Sequence, residues 1–297
     1  MSHPMDNAMA KRSALLSEQT NALRLVDGVG DRLPGVILET FADRWLVSTT
    51  AAKLPDGVRA WLENQNRSTY WKQLDQHQQK SPTHLCGPEQ NEPFLVRENG
   101  VAFEISFHSG YSQGIFLDQR NNRAEVMRRM NEGQTLLNTF AYTGAFSTAA
   151  AKSGATTTTL DLSQPYLDWA KRNLKHNGTD PAEHFFCKGD TFHWLKRFAK
   201  QGRTFDGIIL DPPTFSRDDN GKVFRVEKHY DELAALASNC LAPGGWMLCC
   251  TNFRGQSPKE FEQLTRSKLS SPMKAKHAPM PEEYVDRPYL KSLWLEF

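Results

Sequence analysis

The chain has 297 residues, 39% of them hydrophobic and 24% charged, with a formal net charge of +2. That composition fits one large folded domain with a smaller companion and excludes a disordered or fibrous chain. The near-balance of charge leaves nucleic acid open, because binding depends on where charges cluster. No apolar run reaches the roughly 18 residues of a membrane span, and Met1–Arg12 lacks the apolar stretch of a signal peptide. A cytoplasmic protein with no membrane partner is expected.

Residues 1–19 are polar and aperiodic and read as a frayed lead-in. Residues 20–107 have the texture of a small β-rich domain. Leu23–Val26 and Gly35–Glu39 are short apolar runs, separated by the turn Asp27-Gly28-Val29-Gly30-Asp31. Arg44–Thr49 reads as another strand, Asp56–Asn64 as a short helix and Thr69–Leu74 as a further strand. Residues 75–93 have a loop composition. Phe94–Arg97 and Val101–Ile105 then form a hairpin turning on Asn99-Gly100.

Residues 108–297 alternate helix and strand. Gln119–Glu132 is a helix ended by Gly133, Thr135–Thr139 a strand, and Gly144–Ser153 an Ala-rich helix. Thr156–Leu160 is a β-branched strand, and Pro165–Asn177 a helix closed by Gly178. His184–Lys188 is a strand, Thr191–Lys200 a helix, Phe205–Leu210 an apolar strand and His229–Cys240 a helix. Trp246–Cys250 is a strand, Pro258–Ser267 a helix and Leu290–Phe297 a final strand. The alternation predicts an α/β, doubly wound sheet with helices on both faces. The five cysteines, at 86, 187, 240, 249 and 250, are odd in number and form no C-x-x-C pair, so no disulfide frame and no metal site are expected. Cys249 and Cys250 point to opposite faces of their strand, where packing is the expected role.

Ligands of such sheets sit beyond the carboxyl ends of the strands, so the residues following each strand are the candidates. Asn138-Thr139-Phe140-Ala141-Tyr142-Thr143-Gly144 follows the first; Gly144 opens a helix and lets backbone approach a ligand. The loop lacks the G-x-G-x-x-G pattern, which argues against a dinucleotide phosphate cradle. Asp161, 17 residues past Gly144, has the chemistry to accept both hydroxyls of a ribose; the alternative is a helix N-cap, with Ser163 its rival. Asp190 suits the amino group of an adenine or, equally, an N-cap. Asp211-Pro212-Pro213-Thr214-Phe215 is the most specific segment. Two prolines fix a rigid, extended exit, and Phe215 is a flat partner for a base.

These segments, with Thr159-Leu160-Asp161-Leu162-Ser163, resemble the class I S-adenosylmethionine-dependent methyltransferases of large-subunit (23S) ribosomal RNA, a group with cytosine-C5 and guanine-N7 members. Gly114 to Arg123 resembles that family's entry to the catalytic domain, and Leu25 to Gly35 its small β-domain. The likeness spans about residues 23–255. The family's separate N-terminal PUA-type domain is not seen in it. The resemblance implies a Rossmann-like seven-stranded methyltransferase domain behind a small N-terminal β-rich domain. It assigns S-adenosylmethionine to Gln113, Phe116, Asn138, Phe140, Ala141, Tyr142, Thr143, Gly144, Asp161, Leu162, Ser163, Asp190, Thr191 and Asp211, and the catalytic exit to Asp211, Pro212, Pro213 and Phe215. RNA is the implied partner, as 23S ribosomal RNA or an assembling large subunit; the alternatives are a small-molecule or protein methyltransferase on the same fold, which fold alone does not separate, and a non-catalytic RNA-binding relative.

Cytosine C5 is a poor nucleophile, and its enzymes add a cysteine thiolate to C6. The position expected for that cysteine holds Asn252, and Asn252-Phe253-Arg254-Gly255 looks more like the guanine-N7 branch. Cys250, two residues away, keeps the cytosine reading open. Arg120, Arg217, Lys222, Arg225, Asn252 and Arg254 are candidate RNA contacts, with Lys228 and His229 beside them. A solvated surface is the alternative for this cluster, which Asp218, Asp219 and Glu227 dilute. Lys196, Arg197, Lys200 and Arg203 read as an ordinary helix surface.

Overall fold

The structure, a computed structural model, describes residues 3–74, 80–110, 112–217, 223–270 and 274–297. It divides into two compact units, Met1–Arg120 with Pro281–Pro288, and Asn121–Met280 with Tyr289–Phe297. No helix among the described residues is long and apolar enough to cross a membrane.

In the first unit α1 (Pro4–Arg12) leads into β1 (Ala22–Asp27), β2 (Val36–Phe41), β3 (Arg44–Thr49), α2 (Asp56–Asn64), β4 (Thr69–Gln73) and β5 (Thr83–Cys86). The sheet order is β1-β2-β3-β4-β5. Only β3 and β4 pair in parallel, and α2 is the crossover that a parallel pair requires. The hairpin β6 (Phe94–Glu98) and β7 (Val101–Ile105) turns at Asn99 and Gly100, with φ of 50° and 78°. Asn-Gly supplies that left-handed pair at low cost. Two expectations are corrected here. The supposed lead-in is helix α1, with Met5 and Ala8 buried against Leu23, Leu25 and Trp61. A one-sided apolar stripe in a polar segment escapes a reading by composition. Part of the expected 75–93 loop is strand β5.

The Asp27–Asp31 turn does more than reverse the chain. Arg12, buried, donates to both carboxylate oxygens of Asp31 (3.1 and 2.7 Å) and to the Glu283 carbonyl (2.8 Å). The Asp286 amide donates to Asp27 (2.8 Å). A Cβ on Gly30 would lie 2.6 Å from the Val285 carbonyl. The turn therefore clasps residues 281–288, and Gly30 is required by their close approach.

The second unit contains α3 (Arg120–Arg129, all but its first residue), β8 (Thr135–Thr139), α4 (Ala145–Lys152), β9 (Thr156–Asp161), α5 (Gln164–His176), β10 (Phe185–Lys188), α6 (Thr191–Lys200) and β11 (Phe205–Leu210). There follow the hairpin β12 (Phe215–Arg217) and β13 (Val223–Arg225), then α7 (Val226–Ser238), β14 (Leu241–Thr251), α8 (Pro258–Arg266), β15 (Lys274–Ala278) and β16 (Lys291–Glu296). The main sheet runs β10-β9-β8-β11-β14-β16-β15. Its first five strands are parallel, and β16 is antiparallel to both neighbours. The short hairpin and β15 are additions to the expected elements. Lys274–Ala278 is exposed along nearly its whole length, so it carries no apolar signal.

Side chains alternate between two cores. Leu137, Ile208, Leu210, Met247, Cys249 and Leu293 face the core shared with α6, α7 and α8. Leu136, Ile209, Leu248, Cys250 and Trp294 face the opposite core, with Val126 of α3 and Phe146 of α4. Burial on both faces explains why these strands read as continuous apolar runs.

Burial alone would raise the Asp31 carboxyl, but hydrogen bonds from Arg12 and the Asp27 amide outweigh it and hold it below its ordinary 3.8. A depressed carboxyl contributes stability above its unfolded pKa and loses it as pH falls through the folded value. Asp31→Ala leaves Arg12 buried and unpaired. It is expected to cost roughly 3–5 kcal/mol in urea titrations, and to reduce the acid sensitivity of the first unit below pH 3.8.

Candidate active site

The geometry begins with strand register. Thr139, the last residue of β8, lies opposite Leu160 of β9 on one side and Leu210 of β11 on the other. Asp161 of β9 lies opposite Lys188 of β10. Neighbouring strands are about 4.8 Å apart. The loops beginning at 140, 162, 189 and 211 therefore leave one edge of the sheet together. Strand order reverses between β8 and β11, and that reversal is where open α/β sheets bind ligands. The Thr139 hydroxyl donates to the Ile209 carbonyl (2.7 Å) and ties the two strands at this point.

Asp161 joins three of these loops. Its Oδ2 accepts from the Tyr142 amide (2.8 Å), its Oδ1 from the Ser163 amide (2.9 Å) and its carbonyl from the Gly189 amide (3.0 Å). Ser163, rather than Asp161, occupies the N-cap position of α5. Burial raises the Asp161 carboxyl above its ordinary value, against opposing hydrogen bonds from the Ser163, Tyr142 and Leu162 amides. Phe140 and Tyr142 both have φ of 51°, a left-handed backbone that costs non-glycine residues energy and concentrates at functional sites. The Ala141 amide donates to the Leu160 carbonyl (3.1 Å), folding the loop over β9. Gly144 has φ of 71°, and a Cβ there would lie 2.6 Å from that of Ala170.

Other candidates divide by exposure. Leu162 is exposed beside Asp161. The Asn138 amide is buried and donates to the Ser147 hydroxyl (3.0 Å), so this side chain supports the loop from beneath. The Thr143 carbonyl accepts from buried Asn173 (2.9 Å), and Thr191 is buried in the first turn of α6. Asp190 caps that helix, its Oδ1 accepting from the His193 amide (2.8 Å).

Beyond β11, Pro212 is buried, Pro213 exposed and Phe215 half exposed. The Tyr230 hydroxyl donates to the Leu210 carbonyl (2.7 Å), fixing the strand end. Phe215 pairs with Arg225 across the β12–β13 hairpin, and the Arg225 guanidinium sits 5.6 Å from its ring centroid. Phe224, between them in sequence, packs inward on Phe140 and Phe192. Lys222 and the Arg217 side chain lie outside the described residues.

Asn252 and Arg254, after β14, are exposed. Sequence reasoning missed Lys291, whose ammonium donates to the carbonyls of Phe253 (2.6 Å) and Tyr289 (3.1 Å) and holds this loop. A lone Lys before an apolar strand gives no local signal of that role. Cys250 is buried in the α3-side core, beside Ser292. Cys249 is buried on the other face, where burial pushes its thiol up to about 12.

Gln113, Phe116 and Arg120 belong to the first unit. Gln113 is buried and accepts from Lys72 (3.0 Å), and Phe116 is half exposed. Arg120 corrects an expectation. It is paired with buried Glu283 at 2.5 and 3.2 Å. Its fork is committed to that carboxylate and is withdrawn from the set of phosphate contacts.

A reversed doubly wound sheet with an antiparallel penultimate strand, carrying acidic residues at the ends of β9 and β11 and beyond β10, is the Rossmann-like methyltransferase architecture. A family model described as S-adenosylmethionine-dependent methyltransferase matches residues 45–286. The chain belongs to that family. It is 39% identical over 165 residues to a ribosomal RNA large subunit methyltransferase I of Pseudoalteromonas translucida, covering 55% of this chain and 41% of that protein. It is 29% identical over 321 residues to a ribosomal RNA large subunit methyltransferase of Deinococcus radiodurans, covering 98% of this chain and 78% of the relative. A crystal structure described as that of a "putative methyltransferase complexed with SAH" aligns with a TM-score of 0.90 at 29% identity, over 99% of this chain and 80% of that one. The chain thus spans less than half the length of the first relative.

Asp161→Ala would remove the carboxylate that accepts from the Tyr142 and Ser163 amides. Hydrogen exchange at those two amides is expected to rise by about tenfold or more, the loss of one charge-assisted hydrogen bond, while exchange in β8 stays unchanged.

Proposed function

We propose that this chain transfers the methyl group of S-adenosylmethionine to a base of ribosomal RNA, with guanine N7 favoured over cytosine C5. The carrying observation is the level ending of β8, β9 and β11. The Asp161 loop and the Asp-Pro-Pro-Thr-Phe exit then flank the loop after β8 on one edge of the sheet.

The donor set fits an adenosyl group. The Asp161 carboxylate accepts backbone amides on both oxygens and, with about four lone-pair sites in all, keeps acceptor capacity for a ribose hydroxyl. Asp190 retains Oδ2, which has no donor among the described residues, for the adenine amino group. Exposed Leu162 offers an apolar surface to the ring. Bound there, the cofactor supplies an electrophilic methyl on a sulfonium. The Asp211–Pro213 exit orients the acceptor, and half-exposed Phe215, with Arg225 beside it, stacks an unpaired base and meets its phosphate. Arg254, exposed after β14, is a second phosphate contact in this reading. Catalysis is then mainly positioning for an in-line displacement.

Guanine N7 carries a free lone pair and needs no protein nucleophile. Support for it comes from the thiols. Cys249 and Cys250 are both buried in the sheet on opposite faces, and Asn252 stands where a nucleophile is expected. The RNA-directed names of the relatives support the substrate class, and 23S ribosomal RNA in a cytoplasmic, assembling particle is the specific form proposed.

Mass mapping of ribosomal RNA nucleotides from a deletion strain tests this directly, with loss of one 7-methylguanosine as the expected result. Cys250→Ser is expected to keep methyl transfer; its loss with cofactor binding intact would restore the cytosine reading. Asp161→Asn is expected to weaken S-adenosylmethionine by about 10- to 100-fold in calorimetry, as for hydrogen bonds to a charged group. Because burial raises this carboxyl, the wild-type affinity is expected to fall on acidification from a pH above the ordinary aspartate value, a dependence the amide variant lacks.

A further inference from the structure

Strand β10 is an edge of the main sheet, bonded to β9 alone in the strand order. Residues 171–203, which enclose it, hold eight Lys or Arg against three Asp or Glu, a net +5 in a chain whose total is +2. The rest of the molecule is therefore net negative, and this edge is where its positive charge collects.

The cations are arranged on aromatic rings of the strand and of the neighbouring helix α6. Lys171 of α5 lies 5.2 Å from the Phe186 ring centroid and also pairs with Asp168 (3.1 Å), an exposed ion pair of the weak kind that a phosphate can displace. Arg203 lies 4.8 Å from that of Phe185. Arg197 lies 4.8 Å from Trp194, whose indole donates to the Lys188 carbonyl (3.1 Å). Phe185 itself is 52% exposed.

Charge on an edge strand commonly serves to prevent pairing with other strands. That role calls for cations alone and is weakened by an exposed phenyl ring. A second copy paired edge to edge would bring two such basic regions together, which repulsion opposes. A polyanion with flat faces satisfies both features.

We propose that the β10 edge is a second RNA-contact surface, with Lys171, Lys188 and Arg197 meeting phosphates and Phe185 stacking an unpaired base. The proposal rests on RNA being the substrate, and it revises the reading of Arg197 as ordinary helix surface. Three strand spacings, about 14 Å, separate β10 from β11 in the sheet. Nucleotides flanking the target base thus fall on this edge, which holds the strand while the base is presented.

The test uses the full chain and deproteinised large-subunit ribosomal RNA from the deletion strain. In the triple variant Lys171→Glu, Lys188→Glu, Arg197→Glu, the KM for RNA is expected to rise about tenfold or more with kcat retained. The slope of log affinity against log salt is expected to fall by about 2 to 3, as for three lost phosphate contacts. Phe185→Ala is expected to weaken RNA about 5- to 100-fold, the range of a lost stacking contact, leaving the salt slope intact. Calorimetric binding of S-adenosylmethionine reports that both variants are folded. Methyl transfer to RNA with KM and salt slope unaltered overturns this surface alone. No transfer to RNA by the native protein overturns the substrate reading with it. A native dimer that the triple variant dissolves, with KM unchanged, assigns the edge to a second copy and overturns the proposal.

Discussion

The second unit depends on one constraint, the parallel pairing of β8 with β9 on one side and β11 on the other, which sets Thr139 opposite Leu160 and Leu210, so that the three strands end within one residue of each other. Parallel hydrogen bonding leaves no freedom to slip one residue, since each strand is buried on both faces and a slip would exchange its two cores. Three loops must therefore begin at one level, at the place where the strand order reverses. The ligand side of the molecule is a consequence of core packing.

On that platform Asp161 acts as a joint. Its carboxylate and carbonyl collect amides from the loops after β8, β9 and β10. These contacts offset the cost of the left-handed backbone at Phe140 and Tyr142. A glycine at either position would remove the strain together with the ring. The arrangement keeps bulky side chains where the chain bends most sharply, with Tyr142 against Tyr166 and Phe140 against Phe224. Phe224 lies in the segment that carries Phe215 and Arg225. The packing thus connects the loop after β8 to the hairpin after β11 through an aromatic contact.

The first unit is held by a different device. Arg12, Arg24 and Arg120 are largely buried, each on a carboxylate: Asp31 for Arg12, Asp27 and Glu39 for Arg24, Glu283 for Arg120. Buried pairs contribute specificity of arrangement more than net stability, and removing one partner is costly. Here they specify where residues 281–288 lie, because Glu283 and Asp286 are reached from α1 and from the Asp27–Asp31 turn. Two acids and two glycines that look like plain turn chemistry are a receptor for chain from the far end of the sequence.

Strand and helix alternation, the Asn99-Gly100 hairpin, the acidic residues at 161, 190 and 211 and the family resemblance were all legible in the sequence, because each depends on residues close together in the chain. Periodicity and turn chemistry are local, and the motifs reflect contacts made within a few residues of a strand end. The helix at 4–12 and the exposed strand at 274–278 were not legible, since tertiary partners supply what their composition lacks. The same holds for Lys291 beneath the loop after β14, for Arg120 bound by a carboxylate 163 residues away and for Phe185 exposed on an edge strand. Whether a charge is satisfied or open, and whether a ring is core or surface, depends on what packs beside it from distant sequence. Tertiary structure alone decides that, because burial and long-range pairing have no signature in local order.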